Sequence, residues 1–431
     1  MVSYAGPIDQ SYSRLQVLML HRRVDYERFN DFKLIIIKMK YRKIISQNLS
    51  GLKKLMNAGF LLFGGGAGWC LLMFLFASCD DMYDKVPDGT LPVTTETSRI
   101  FVLSEGLIHM NNSTLSMYDF EAKTTVSDYF LAKNQRGLGD TANDMELYGS
   151  KLYVVVNVSS QIEILDVSTG KSLKQIPMFD DKGVARQPRY IAFHKDKAYV
   201  CSFDGTVAKV DTASMQIEGM VVVGRNPDGI CVANNKIYVS NSGGLNFPNY
   251  DNTVSVIDIS TFTEIKKIKV AFNPGRIHAD SQGDVYVVSK GDYSSSNPYI
   301  FQRISAKTDV LEQSFSDISA LNFTIHNDTA YIYNFDFNTQ SCWVKVFDCT
   351  TEKIISDQFI TDGTELSTPY GVDVNPLNGD VYLTDAKSFT VWGNVLCFDK
   401  AGKLKFSINE IGLNPNKVVF APTNKKIKIQ Q

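Results

Sequence analysis

Short apolar runs with a central aromatic recur along the chain at regular intervals. They are Ile100-Phe101-Val102, Leu152-Tyr153-Val154, Ala198-Tyr199-Val200, Ile237-Tyr238-Val239, Val285-Tyr286-Val287, Ala330-Tyr331-Ile332 and Val381-Tyr382-Leu383, with the aromatics 39 to 52 residues apart. After each comes an alternating run that ends on a turn residue: Asp119, Asp166, Asp211, Asp258, Ser305, Asp348 and Asp399. An Asp at such a place bonds its own following backbone and fixes a tight turn. A third signal precedes most of the aromatic runs. It reads PRYIAF at 188–193, PDGICV at 227–232, PGRIHA at 274–279 and PYGVDV at 369–374, with NDMEL at 143–147 and LNFTI at 321–325 as versions lacking Pro.

These signals define four short strands per unit. Strand A opens at the Pro motif, B carries the aromatic, C ends at the turn Asp, and D is a run such as EIKKIKV at 264–270. Helical periodicity is almost absent. Units of this length with four strands each are the mark of propeller blades, and seven signals predict seven blades. A stack of β-sandwiches would not give one such signal per repeat. The first B strand, at 99–104, has no A strand before it, while the chain closes on Asn414-Pro415-Asn416-Lys417-Val418-Val419-Phe420, an A strand without a full B. The expected fold is therefore all-β, a seven-bladed β-propeller of four-stranded blades, closed by the C-terminal strand joining the first blade. Such closure pairs the edges that would otherwise be exposed.

Composition agrees with a packed body: 431 residues, 44% apolar and 21% charged. The net charge of -2 hides an asymmetry. Residues 1–79 hold eleven basic and four acidic side chains, which leaves 33 basic and 42 acidic in 80–431, a net charge of -9 there. An acidic body has no electrostatic reason to hold a phosphate backbone, which argues against a nucleic-acid partner. Residues 60–76, FLLFGGGAGWCLLMFLF, follow Lys53 and Lys54 and suit the core of a signal peptide. Phe76-Ala77-Ser78-Cys79 then resembles a bacterial lipobox, with Cys79 as the lipidated residue and Phe76 standing where the pattern has Leu. The alternative is an uncleaved anchor helix. The division expected is 1–79, upstream extension and lipoprotein signal peptide; 80–97, an acidic tether; and 98–431, the propeller. Met39 and Met56 are alternative starts. The remaining five cysteines, an odd number without regular spacing, predict neither a disulfide framework nor a zinc site.

The run of Pro-x-Gly-Ile, Ile-Tyr-Val-Ser-Asn at 237–241 and Val-Ser-Val-Ile-Asp at 254–258 resembles the YVTN/YncE-like seven-bladed propellers, often described as surface-layer-like proteins. Residues 105–119, EGLIHMNNSTLSMYD, are similar to the first blade of surface lipoproteins of Bacteroidetes. The resemblance implies a lipid-anchored protein of the outer membrane, at the cell surface, touching the membrane through its lipid alone. One branch of those proteins captures cobalamin and passes it to a TonB-dependent outer-membrane transporter. Cobalamin is thus an implied ligand, that transporter an implied partner, and no cofactor is required.

In a propeller, the B–C and D–A loops share one face. Five units have long B–C segments, and the other two are preceded by long D–A segments at 131–143 and 177–188. Every blade therefore extends the same face, where binding residues accumulate on a rigid frame. The loops are rich in aromatics and amides, among them Asn246, Phe247, Tyr250, Tyr293 and Phe335. Aromatic area and amide hydrogen bonds suit a large amphipathic ligand. Trp343 and Trp392, near the starts of C strands, are expected in the core. Residues opening the A strands should ring the channel mouth: Asn143, Arg189, Tyr190, Asp228, Arg276 and Tyr370. Arg189 and Arg276 would either meet an anion or pair with a neighbouring carboxylate.

No nucleophile elbow, P-loop or HExxH motif is present. His194, His278 and His326 fall in A strands at different offsets, which predicts no catalytic constellation and no metal site. The reading is a non-enzymatic binder. The alternatives are an interaction propeller for protein or glycan, and a lactonase- or lyase-like enzyme.

Overall fold

A computed structural model describes residues 93–426. The signal peptide, Cys79 and most of the tether lie outside the described residues. The first strand begins at Val93, inside the segment read as tether.

The described residues form seven antiparallel sheets of four strands each, arranged in sequence order. Blade 1 combines Pro415–Lys426 with Val93–Ser104, Thr114–Asp119 and Thr124–Val126. The ring is closed as the sequence predicts: the last strand pairs with the first, Phe101 opposite Val419 and Val93 opposite Lys426. The other A strands are Ala142–Tyr148, Pro188–His194, Pro227–Ala233, Pro274–Ala279, Asn322–His326 and Pro369–Val374, for blades 2 to 7 in turn.

The repeated aromatics explain how the blades hold together. Phe101, Tyr153, Tyr199, Tyr238, Tyr286 and Tyr382 are all fully buried. Each lies in a core shared by its own blade and the next. Phe101 packs with Met145 and Leu152 of blade 2, and Tyr238 with Ile277 and Val285 of blade 5. Tyr382 of blade 7 packs with Ile100 and Val102 of blade 1, which makes the seventh junction the equal of the others. Aromatic side chains suit this place because each removes a large apolar area from water.

The turn residues behave as their chemistry requires. Asp166 Oδ1 accepts from the Thr169 amide at 2.8 Å, Asp258 Oδ1 from Thr261 at 2.9 Å, and Asp399 Oδ1 from Ala401 at 2.9 Å. Ser305, the exception in the series, accepts from the Lys307 amide through its hydroxyl at 3.3 Å. One short helix, α1 (Tyr129–Asn134), interrupts the strands in the segment between blades 1 and 2. Asp128 caps it by accepting from Leu131, and its Tyr129 and Phe130 are buried. Trp392 departs from expectation: it opens its C strand 44% exposed, because its side chain falls beyond the interblade core.

Six of the seven A strands begin with a register shift against strand B. Asn143, Arg189, Tyr370 and Asn416 are the extra residues in blades 2, 3, 7 and 1, and the shifts in blades 4 and 5 fall between Pro227 and Ile230 and between Pro274 and Ile277. A bulge of this kind bends a strand end and re-aims a side chain. Here the same device is repeated around the axis. The glycine of the Pro-x-Gly motif serves close approach. A Cβ on Gly371 would stand 2.4 Å from the Asn416 carbonyl, and one on Gly229 would stand 2.3 Å from the Gly275 carbonyl.

Candidate functional site at the channel mouth

The bulged strand ends converge on a cavity of about 240 Å³ at the mouth of the central channel. Asn143, Arg189, Tyr190, Arg276, Phe335 and Tyr370, all expected from the sequence, line it. Asp228 stands beside it as the partner of Arg189. The Arg189 Nε donates to Asp228 Oδ1 at 2.8 Å, and Lys290 Nζ lies 3.4 Å from the other carboxylate oxygen. Burial opposes the charge on Asp228, but Arg189 and Lys290 outweigh it and hold this carboxyl below its ordinary range. Arg189 also donates to Asn143 Oδ1, and its guanidinium lies over the ring of Phe203 at 4.5 Å.

The second pairing joins blades 7 and 1. The Tyr370 hydroxyl donates to the Glu105 carboxylate. Burial pushes Glu105 up, and the bonds and charges of Tyr370 and Arg189 counter it only in part. Tyr370 rises well above its usual value, first through burial and then through the neighbouring Glu105. Deeper in the channel, Lys417 Nζ sits 2.8 Å from Glu146 and 3.1 Å from Asp373.

Arg276 is placed differently. Its Nε donates to His278 Nε2 at 3.0 Å, and its guanidinium covers the Tyr190 ring at 4.7 Å. Of the two outcomes open to the arginines, Arg189 has paired with a carboxylate; among the described residues Arg276 has no such partner. Burial, then the cations Arg276 and Lys417, push His278 well below its ordinary value, so its Nε2 keeps the lone pair that Arg276 uses.

Besides Asp228, four expected residues do not line this cavity. Asn246 donates its amide to Asn226 at 2.8 Å and borders a groove between blades 3 and 4. Phe247, Tyr250 and Tyr293 form a chain of edge-to-face rings on the B–C loops of blades 4 and 5, with centroids 6.1 and 5.8 Å apart. A second aromatic group stands on blades 6 and 7, where Phe337 lies between Phe335 and Phe389, and Phe389 meets Tyr370.

The sequence reading missed Glu105, Asp144, Lys290, Asn416 and Lys417 in the lining. A positional signal existed for three of them. Glu105 and Lys290 each follow directly on a B strand, and Asn416 follows Pro415 as Arg189 follows Pro188. At the other end of the A strands lies a cavity of about 390 Å³, lined by His278, His326, Glu146, Asp373 and Lys417. Two A-strand histidines thus share a cavity despite their different offsets. Among the described residues, no three His, Cys, Asp or Glu side chains are grouped to hold a metal ion.

The model of one protein family, "Domain of unknown function (DUF5074)", matches residues 99–420. No curated protein matches the sequence. Among solved structures, a quinonprotein alcohol dehydrogenase-like protein from Bacteroides thetaiotaomicron is similar at a TM-score of 0.55 and 16% identity, over 76% of this chain and 79% of that one. Hydrazine synthase of Kuenenia stuttgartiensis is similar at a TM-score of 0.49 and 16% identity, over 60% of this chain and 76% of that one. At 16% identity the likeness to the dehydrogenase-like protein is one of fold.

The chain belongs to the DUF5074 family.

Proposed function

We propose that this member of the family is a ligand-capturing propeller, a lipid-anchored protein of the cell surface that holds its ligand over the channel mouth without transforming it. The observation that carries the reading is the convergence of side chains from several blades on one mouth, flanked by two aromatic groups. The ion pairs and bulges fix the polar floor before any ligand arrives, and such preorganisation reduces the ordering cost of binding. The cavity itself suits a small polar group, so the body of a larger ligand would rest on the rim rings.

Cobalamin is the most concrete ligand, and a TonB-dependent outer-membrane transporter the acceptor to which it would pass. Support comes from the first-blade resemblance and from a floor and rim suited to a large molecule with polar appendages. Titration of the purified protein with cyanocobalamin, followed by absorbance and calorimetry, tests this. We expect one-to-one binding, weakened by Tyr293→Ala, with the ligand recovered unchanged. No binding at micromolar ligand would overturn the cobalamin reading.

One observation favours a second reading, in which the same face meets a protein or glycan. Phe247, Tyr293 and Phe337 are 51%, 46% and 53% exposed there. An exposed aromatic surface of this kind marks interaction sites. An enzymatic reading draws on the dehydrogenase-like neighbour only through its fold, and fold does not carry function.

A further inference from the structure

We infer that Arg276 is the anion receptor of the mouth and takes a carboxylate or phosphate group of the ligand on the edge formed by its two Nη atoms. This rests on the reading of the mouth as a binding site and names the chemical class that enters it.

The first ground is the pattern of charges. Arg189 and Lys290 share Asp228, and Lys417 has Glu146 and Asp373. Arg276 lines the same cavity, yet among the described residues no carboxylate stands within ion-pair distance of it. Burial works against its charge, while Tyr190 and the more distant Asp144, Asp373 and Glu146 sustain it. A guanidinium away from bulk water is stabilised most by a direct, hydrogen-bonded counter-ion.

The second ground is how the side chain is held. His278 engages Nε, and Tyr190 covers one face of the guanidinium. Neither contact uses the Nη1–Nη2 edge. That edge presents parallel N–H donors in the fork geometry that matches a carboxylate or phosphate. The third ground is the surroundings. Tyr333 lines the cavity, and its hydroxyl accepts from Asn322 Nδ2 at 3.3 Å, so its own proton remains to be donated. A space of about 240 Å³ holds an acid group of this size but not a large ligand body. His278 acts as a positioning residue, because only its unprotonated Nε2 can accept from Arg276.

The experiment is a calorimetric titration of the full chain with inorganic phosphate and, separately, with succinate, at constant ionic strength. Arg276→Gln and Arg276→Lys are compared with Arg225→Gln, which removes a positive charge paired with Asp251 away from the mouth cavity. We expect saturable one-to-one binding of at least one anion, and the stronger arm tells phosphate from carboxylate. Arg276→Gln should weaken it about ten-fold or more, the scale of one charge-assisted hydrogen bond. Arg276→Lys, which keeps the charge and loses the fork, should weaken it less, and Arg225→Gln should leave it unchanged. If Arg276→Gln does not fold, the Lys variant carries the comparison. Absence of saturable binding of either anion by the parent would overturn the inference, as would unchanged binding by a folded Gln variant, or by the Lys variant where the Gln variant does not fold. Tight cyanocobalamin binding without anion binding would sink this inference alone. Anion binding without cyanocobalamin binding would sink only the cobalamin reading.

Discussion

At Gly371 the packing of the innermost strands comes down to a missing methyl group. Its neighbour on the adjoining blade is the Asn416 backbone carbonyl, which cannot swing aside as a flexible side chain would. Gly371→Ala should therefore destabilise the protein by about 1–3 kcal/mol, the usual cost of overpacking, measurable as a lower urea midpoint at unchanged slope. Asp228 presents the opposite case, a group whose removal leaves others stranded. Asp228→Asn leaves both Arg189 and Lys290 without a carboxylate, and breaking such a buried pair costs about 3–5 kcal/mol. The sign of its pH dependence follows from its lowered value in the fold. The stabilisation is complete above the carboxyl's unfolded value and is lost as pH falls through the folded one. Thermal melts between neutral pH and the acid range should show a steeper acid decline for the parent than for Asp228→Asn. An equal decline in both would remove Asp228 from the account.

Elements were legible in the sequence where their determinants are local. The turn Asp needs only its next two or three residues, so Asp166, Asp258 and Asp399 could be read one unit at a time. The period-2 strands with their central aromatic are equally local. The pairings at the mouth are not local: 265 residues separate Tyr370 from Glu105 along the chain, and ring closure brings them together. That is why Tyr370 was legible as a mouth residue and its partner was not. The same limit explains Asn246, whose amide looked available in a loop and is engaged by Asn226 of the preceding segment. At this scale the closing strand has a direct test. Deleting the chain from Pro415 onward removes strand A of blade 1 and bares the inner edge of Val93–Ser104. The truncated protein should lose cooperative thermal unfolding and aggregate, as an unpaired strand edge predicts. A sharp, monomeric transition in the truncated chain would mean that closure contributes little.

Over the whole ring, stability is distributed among interblade cores, not concentrated in one centre. An open array of repeats would then unfold in parts, because each unit contacts only its neighbours. Closure changes this, since the junction of blades 7 and 1 has a core of its own around Tyr382, Ile100 and Val418. No blade can leave without opening two cores. A defect in one junction should therefore lower the stability of the entire ring. Tyr199→Ala tests this in the core between blades 3 and 4, where Tyr199 is fully buried with Ile237 and Val239. Truncating a buried aromatic costs about 3–5 kcal/mol. With Trp69 replaced by Phe, the two remaining tryptophans are Trp343 on blade 6 and Trp392 on blade 7, remote in sequence from the defect. Their fluorescence and the far-ultraviolet circular dichroism should then shift together to the same lower denaturant midpoint, as one transition requires. If the tryptophans kept the parental midpoint while part of the dichroism was lost early, the blades would be unfolding separately. The ring would then be a set of neighbours and not a single cooperative body holding its mouth in one shape.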